Sequence, residues 1–247
     1  MQNGLTRVAQ GGKAVYGACL GILMLEARFP RIPGDMGNAT TWDFPVLYKI
    51  VELATPDKVV RKGGKGLLDP FIKGAKELER EGVRAITTNC GFLALFQKEI
   101  ASAVDVPVFT SSLMQVPLVY AMLKPWQKVG ILTIHAKSLS REHLAATGVD
   151  KIPYVILGTE DEKEFSRAIL DDEMELDVEQ SQKDLIRIAR CLKEDHPEVG
   201  AIVLECTNMP PYAAAIQREV NLPVFDIYTL VNMVYQAVVR KEFQGFM

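Results

Sequence analysis

Residues 199–211 read Val199-Gly-Ala-Ile-Val-Leu-Glu-Cys206-Thr-Asn-Met-Pro-Pro211, an apolar run that ends in a cysteine and two small polar residues. The run predicts a buried strand, and the proline pair that follows predicts the start of a helix. The cysteine then lies at the carboxyl end of the strand.

The same pattern occurs a second time, 116 residues earlier in the chain. An ungapped comparison of residues 83–109 with residues 199–225 gives nine identities in 27 positions, and Cys90 and Cys206 form one of the matched pairs. A repeat of this length predicts two duplicated lobes rather than a solenoid. Each lobe would then present one thiol.

Predicted strands and helices alternate along the rest of the chain, which indicates an α/β fold with parallel sheets and helices on both faces. We expect two similar lobes related by pseudo-two-fold symmetry, formed by residues 1–111 with 227–247 and by residues 112–226, with the active site in the cleft between them. The first strand is predicted at residues 14–25. A strand at residues 128–133 is predicted to lead to a helix at residues 139–147, with Ser138 as a candidate N-cap. Residues 58–66 are predicted to be a basic, glycine-rich connection, and the acidic residues 160–179 a solvated helix face and its connections.

Composition and charge exclude several classes of function. Apolar residues make up 48% of the chain and charged residues 24%, as in ordinary globular proteins. The net charge of −3 provides no basic field and argues against a nucleic-acid partner. No apolar run reaches membrane-spanning length and residues 1–13 lack the pattern of a secretory signal, so we expect a cytoplasmic protein without a membrane partner.

The cysteines do not have the spacing of a disulfide framework or a metal site, and no metal is expected. Cys19 and Cys191 lie within a predicted strand and a predicted helix, where a free cysteine behaves as a small apolar residue. Cys90 and Cys206 instead lie at strand ends beside predicted helix N-termini. Because helix dipoles favour anions, we expect their thiol pKa values to fall toward neutrality.

Two thiols that face each other across a cleft can act on opposite sides of one carbon atom. One thiolate removes a proton and the opposite thiol returns one, which inverts a stereocentre without a cofactor. A neighbouring carboxylate or carbonyl of the substrate must take up the charge of the carbanion.

These motifs resemble the aspartate/glutamate racemase superfamily. The Cys206-Thr-Asn turn looks like its second cysteine motif, residues 130–133 followed by Ser138 look like its central strand and loop, and residues 223–226 look like the strand that returns to the first lobe. The resemblance covers most of the chain from Val83 onward and implies paired cysteine acid/base chemistry, no cofactor and a homo-oligomer, a dimer in the family. The family's first motif usually runs Cys-Asn-Thr, whereas this chain has Thr88-Asn89-Cys90. The internal repeat assigns the thiol position to Cys90.

Several polar residues are candidates for binding a substrate carboxylate. Side chains at the two cysteine turns and at the end of the central strand can donate hydrogen bonds, and the long loop of residues 26–45 can supply an arginine. These substrate-binding candidates are Thr88, Asn89, Thr207, Asn208, Thr133, Arg31 and Asn38. The threonines and asparagines can equally be helix caps, a loop arginine is often only solvated, and Asp35 and Asn38 can simply stabilise turns.

The main prediction is therefore a cofactor-independent racemase or epimerase of a small carboxylate-bearing substrate, an amino acid or a hydantoin-like compound. A decarboxylase or a cis-trans isomerase of the same superfamily would use the same pocket with one dominant cysteine. A non-catalytic small-molecule binding protein is a third possibility, although it would have no need of paired thiols.

Overall fold

Two four-stranded parallel sheets organise the chain in a computed structural model that describes residues 11–246. The strand order is β2-β1-β3-β4 in the first sheet and β6-β5-β7-β8 in the second. The predicted α/β fold with two parallel-sheet lobes is confirmed. The strands are β1 (Leu20–Leu25), β2 (Val46–Val51), β3 (Ala85–Thr88), β4 (Val108–Phe109), β5 (Lys128–Thr133), β6 (Tyr154–Gly158), β7 (Val199–Leu204) and β8 (Val224–Phe225).

Nine α-helices connect and flank these strands within the described residues, together with short 3₁₀ turns. Two of the turns, Gly91–Phe96 and Pro210–Tyr212, follow the strands that carry the cysteine motifs. The helices are α1 (Pro56–Val60), α2 (Leu68–Arg80), α3 (Gln97–Ala101), α4 (Val116–Ala121), α5 (Arg141–Ala146), α6 (Phe165–Leu170), α7 (Val178–Asp195), α8 (Ala213–Val220) and α9 (Ile227–Val238).

The two sheets repeat each other in register as well as in order. In the first sheet Ile86 pairs with Val108, and in the second Ile202 pairs with Val224. Each residue of the second pair lies 116 positions after its counterpart, the period found in the sequence. The strands β1, β3 and β7 are buried along their whole length, as expected for parallel strands covered on both faces.

The chain returns to the first sheet at its end. Helix α9 buries Ile227, Leu230 and Val231 against a cluster that includes Leu20 and Ile22 of β1. Asp226 caps this helix by accepting a hydrogen bond from the backbone N–H of Thr229. The exact lobe boundaries remain a prediction. Residues 1–10 and Met247 lie outside the described residues, and so does most of the segment 1–13 that is predicted to lack a secretory signal.

Three predicted elements are wrong in position or type. The first strand is shorter than residues 14–25. Residues 58–66 are not all connection, because Thr55 caps helix α1 by accepting a hydrogen bond from the N–H of Lys58, and Pro56 occupies the first turn. Ser138 is not the cap of α5: Ser140 takes that role in a capping box with His143.

The acidic segment differs most from its prediction. Residues 160–179 contain helix α6, in which Phe165, Ile169 and Leu170 are almost fully buried. The backbone N–H groups of Glu164 and Phe165 donate to the carboxylate of Asp184 on α7, which satisfies the start of the helix. Residues 171–179 are exposed or half-buried, so the prediction of a solvated segment is wrong for α6 and holds for the acidic residues that follow it.

None of the helices formed by residues 11–246 combines the length and apolar character that a membrane crossing requires.

Candidate active site

Both repeat-matched cysteines line one cavity at the carboxyl ends of the sheets. Cys90 lies two residues beyond β3 and Cys206 two residues beyond β7, and their exposed fractions are 8% and 6%. Open α/β sheets bind ligands at this edge. The pairing of thiols around one space follows from the strand equivalence of the two lobes.

The cavity is largely apolar and small. Its volume is about 20 Å³, room for about one water molecule. The lining residues that the structure describes include no lysine, arginine or histidine. The polar or reactive side chains among them belong to Cys90, Glu205, Cys206, Thr207 and Asn208, and the larger apolar ones to Leu25, Phe29, Val60, Phe92, Ile134, Ile169 and Leu170.

Two helices from opposite lobes cover the cavity. Helix α1 contributes Pro56 and Val60 to the lining, and α6 contributes Ile169 and Leu170. A salt bridge of 2.7 Å joins Arg61, just after α1, to Asp171, just after α6. The carboxylate of Asp172 also accepts hydrogen bonds from the backbone N–H groups of residues 28 and 29, at 2.6 and 3.2 Å. Substrate entry therefore requires this cover to move.

The thiols do not have the lowered pKa values that their helix-terminal positions predict. Burial, with a smaller contribution from the neighbouring Glu205, raises the pKa of Cys90 to about 12, although backbone N–H groups of Phe92 and Leu93 act in the opposite direction. Burial, again with Glu205, raises the pKa of Cys206 well above its ordinary value. The prediction is wrong because desolvation of a fully buried thiolate outweighs the helix N-terminus.

Glu205 is a site residue that sequence reasoning missed. Its side chain is fully buried, and burial raises the pKa of its carboxyl group to about 7. Oε2 accepts a 2.7 Å hydrogen bond from the hydroxyl of Thr133, and this bond and the nearby backbone N–H of Ile134 lower the pKa against the effect of burial. The available signal was a charged residue that closes an apolar strand directly before Cys206.

A polar network behind Cys206 ties the long loop to the second lobe. The Cys206 thiol donates to Oδ1 of Asn208 at 3.5 Å, and Nδ2 of Asn208 donates to Asp35 at 2.6 Å. Asp35 also forms a 2.9 Å salt bridge with Arg31. Asp35, expected to serve only the turns of its own loop, therefore also orients a residue that lines the cavity.

Thr88 and Asn89 hold the first cysteine turn and do not line the cavity, whereas Thr207 both lines it and holds a turn. The hydroxyl of Thr88 donates to the carbonyls of Cys90 and Thr110, and Oδ1 of Asn89 accepts from the N–H of Leu25. Thr207 lines the cavity, while its hydroxyl donates to the carbonyl of Asn89 across the two lobes.

Three predicted binders have their polar groups engaged outside the cavity lining. The guanidinium of Arg31 is paired with Asp35 and lies 4.5 Å from the ring centre of Phe29. Asn38 donates from its amide to the carbonyl of residue 31 and caps the short turn at residues 39–41. Thr133 contacts Glu205. The structure therefore brings both cysteines, Thr207 and Asn208 together around the cavity. Arg31, Asn38 and Thr133 are not among the residues that line it.

Residues 61–231 match the family model described as Asp/Glu/Hydantoin racemase. The chain belongs to this family. An allantoin racemase from Klebsiella pneumoniae has the same fold: its structure matches with a TM-score of 0.60 at 20% identity, over 89% of this chain and 87% of that one.

Two relatives that are similar in sequence are named as lyases rather than as racemases. A dimethylsulfoniopropionate lyase from Durusdinium sp. clade D is 33% identical over 220 residues, which cover 85% of this racemase-family chain and 71% of the relative. Dimethylsulfoniopropionate lyase 7 from Emiliania huxleyi (strain CCMP1516) is 29% identical over 231 residues, covering 86% of this chain and 65% of the relative. The chain thus spans about two thirds of the length of these relatives.

These similarities correct the predicted activity. Lyases cleave a bond, whereas a racemase or epimerase inverts a stereocentre, so the predictions of racemisation and of an isomerase are wrong for this member of the racemase family. The finding favours the alternative of a different reaction on the same superfamily scaffold. Within residues 11–246, no cluster of three or more His, Cys, Asp and Glu residues is arranged to bind a metal ion.

Proposed function

We propose that the chain is a lyase that acts on dimethylsulfoniopropionate or a close analogue, and that a cysteine thiolate starts the reaction by removing a proton next to the substrate carboxylate. The observation that carries this proposal is a small, largely apolar cavity lined by two thiols and a buried carboxyl group. The sequence similarity to dimethylsulfoniopropionate lyases supports it.

The reaction is a β-elimination whose atoms balance without another reactant. The thiolate takes the proton from the carbon beside the carboxylate, and the C–H electron pair forms a double bond to the next carbon. The bond from that carbon to sulfur breaks, and its electron pair leaves with neutral dimethyl sulfide. The remaining product is acrylate, and the proton stays on the thiol until solvent removes it.

The substrate supplies the positive charge that favours ionisation of the thiols, which are protonated in the ligand-free protein. Cys90 and Cys206 are protonated in the cavity because burial and Glu205 raise their pKa values. A sulfonium cation beside a thiol favours the thiolate, because an opposite charge at short range stabilises the ionised form. The elimination then consumes this cation, so the thiol becomes a weak acid again after each turnover.

Backbone N–H groups at the cysteine turns are suited to hold the substrate carboxylate. The backbone N–H of Phe92 lowers the pKa of Cys90 and that of Asn208 lowers the pKa of Cys206, so both lie close to the thiols, whereas the N–H of Leu93 also donates to the carbonyl of Cys90. Such groups stabilise an anion, including the charge that develops on the carboxylate as the proton leaves. One cysteine serves as base, and the turn of the opposite lobe then orients the carboxylate.

The test is release of dimethyl sulfide and acrylate from dimethylsulfoniopropionate by the purified chain, measured by headspace gas chromatography and NMR. Cys90→Ser and Cys206→Ser should lower kcat at least about 100-fold if each thiol takes part. Cys191→Ser on α7 is the matched control and should retain the parent rate, because Cys191 is not among the cavity-lining residues. Product formation no faster than in protein-free buffer would overturn the proposal.

A further inference from the structure

Glu205 is a buried carboxyl group without a cationic partner in the structure. Its side chain is fully buried, and none of the ion pairs formed between residues 11 and 246 includes it. A buried carboxylate is costly unless it is paired or hydrogen-bonded. The negative charge of Glu205 must therefore be neutralised either by a cation that is not part of the described protein or by a proton.

One oxygen of this carboxyl group is held and the other is free. Oε2 has its partner in the hydroxyl of Thr133, whereas Oε1 has no hydrogen-bond partner among the described residues. Oε1 occupies space beside Gly91, where a Cβ atom would collide with it. Both residues line the cavity, so the free oxygen lies at the wall that Cys90 and Cys206 also form.

The rest of the cavity wall favours one type of cation. An ammonium or guanidinium group needs several hydrogen-bond acceptors, and the wall is mainly formed by side chains such as Phe92, Ile134 and Leu170. A sulfonium or quaternary ammonium group has no N–H to satisfy. Its charge is spread over methyl groups, which pack against apolar and aromatic side chains.

We propose that Glu205 is the specificity-determining residue that binds the onium cation of the substrate. The site then selects small carboxylates that bear a sulfonium or quaternary ammonium group over carboxylates of equal shape that lack the cation. This assignment deepens the proposed lyase function and rests on it for the identity of the reacting substrate. Gly91 belongs to the same binding site, because only a glycine at this position leaves room for the carboxyl group of Glu205.

The decisive experiment measures binding, so it does not depend on turnover. The two probes are 3-(trimethylammonio)propanoate and 4,4-dimethylpentanoate, an isostere that keeps the carboxylate and lacks the cation, both titrated by calorimetry at pH 8. The parent protein should bind the cation at least about tenfold more tightly than the isostere, because a desolvated charge pair contributes strongly. Glu205→Gln should bind the two probes nearly equally, and Glu205→Asp should recover part of the preference.

Glu198→Gln is the matched control. Glu198 directly precedes β7, whereas Glu205 directly follows it, and Glu198 is paired with Lys128 at the surface. This variant should keep the parent preference. An undiminished preference for the cation in Glu205→Gln would overturn the assignment, as would equal binding of the two probes by the parent protein.

A second measurement keeps the assignment testable if Glu205→Gln does not fold. In the parent protein, the preference for the cation should shrink as the pH falls from 8 to 5.5, because protonation removes the charge of Glu205. The thiols of Cys90 and Cys206 face the same cavity and are protonated over this range in the ligand-free protein, and the Arg31–Asp35 pair lies behind Asn208. A preference that does not change with pH would contradict the assignment.

The outcomes also separate the two proposals. A protein that releases no dimethyl sulfide but prefers the cation through Glu205 would refute the reaction and keep the binding site. A protein that is an active lyase and retains its cation preference in Glu205→Gln would refute the binding site alone.

Discussion

Glu205 and Gly91 interlock across the two lobes: the carboxyl group of one occupies the space that the missing side chain of the other leaves open. Glu205 follows β7 of the second sheet, and Gly91 follows Cys90 of the first. In the internal repeat, Glu205 aligns with Asn89 and Gly91 with Thr207. The two halves of the cavity therefore differ chemically where they meet, although their strands are equivalent.

Replacing Gly91 with alanine should destabilise the protein by about 1–3 kcal/mol, because the new methyl group overlaps the Glu205 carboxyl group. Combining Gly91→Ala with Glu205→Ala should relieve only part of this cost, because the backbone oxygen of Glu205 lies 2.5 Å from the position of the new Cβ whatever the side chain of residue 205 is. Urea unfolding of the four proteins measures this coupling. Strictly additive single and double variants would show that the two side chains do not compete for space.

The thiols should react in an order opposite to that of an activated cysteine pair. In ligand-free protein near pH 7, Cys19 and Cys191 should alkylate faster than Cys90 and Cys206, because the latter are buried and their pKa values are raised. Limited treatment with iodoacetamide followed by peptide mass spectrometry gives the four rates. Fastest labelling at Cys90 or Cys206 would contradict the desolvated state of the site.

The strands were predictable from sequence because buried parallel strands are continuous apolar runs. Strand β5 has the predicted bounds of residues 128–133, and the pairing of Cys90 with Cys206 followed from an ungapped repeat. Both features depend on residues that are neighbours in the chain. The same local reasoning placed the cysteines at the carboxyl edge of the sheets.

The features that sequence reasoning missed depend on partners far along the chain. Helix α6 can be buried because Asp184 satisfies its first N–H groups, and its short apolar sequence, flanked by acidic residues, was not separated from the solvated segment around it. The direction of the thiol pKa shifts depends on how deeply the lobes bury the cysteines. The role of Arg31 depends on Asp35, which in turn is fixed by Asn208 of the other lobe.

The salt bridge between Arg61 and Asp171 should limit how often the cavity opens. Asp171→Asn removes the bridge between the ends of α1 and α6. Both side chains are partly exposed, so the cost in global stability should be less than about 1 kcal/mol, while local opening becomes easier. Hydrogen–deuterium exchange should become faster in the peptide that contains α6.

Glu219→Gln is the control for this variant, because it removes an exposed pair between Arg190 and Glu219 that lies on α7 and α8. It should leave the exchange of α6 unchanged. Equal exchange of α6 in the parent protein and in Asp171→Asn would mean that apolar packing alone keeps the cavity closed.

The raised pKa of Glu205 should make the stability of the protein depend on pH with a definite sign. The carboxyl group titrates near 7 in the folded protein and near its ordinary value of 4.5 in the unfolded chain, so the folded state binds the proton more tightly. Its stabilising contribution is complete below the unfolded pKa and is lost as the pH rises through 7. Between pH 5 and 8, Glu205→Gln should therefore gain stability relative to the parent protein by up to about 3 kcal/mol.

The comparison of variant with parent isolates this effect, because His143, whose pKa burial lowers to about 4, titrates in both proteins. Urea unfolding at pH 5, 6, 7 and 8 measures the difference. Glu198→Gln serves as the control: the pKa of Glu198 is lowered by backbone hydrogen bonding and by Lys128, so its difference from the parent should change only below the ordinary glutamate range. Parallel stability curves for Glu205→Gln and the parent across pH 5–8 would show that Glu205 titrates at its ordinary value and is not the desolvated carboxyl group on which onium binding depends.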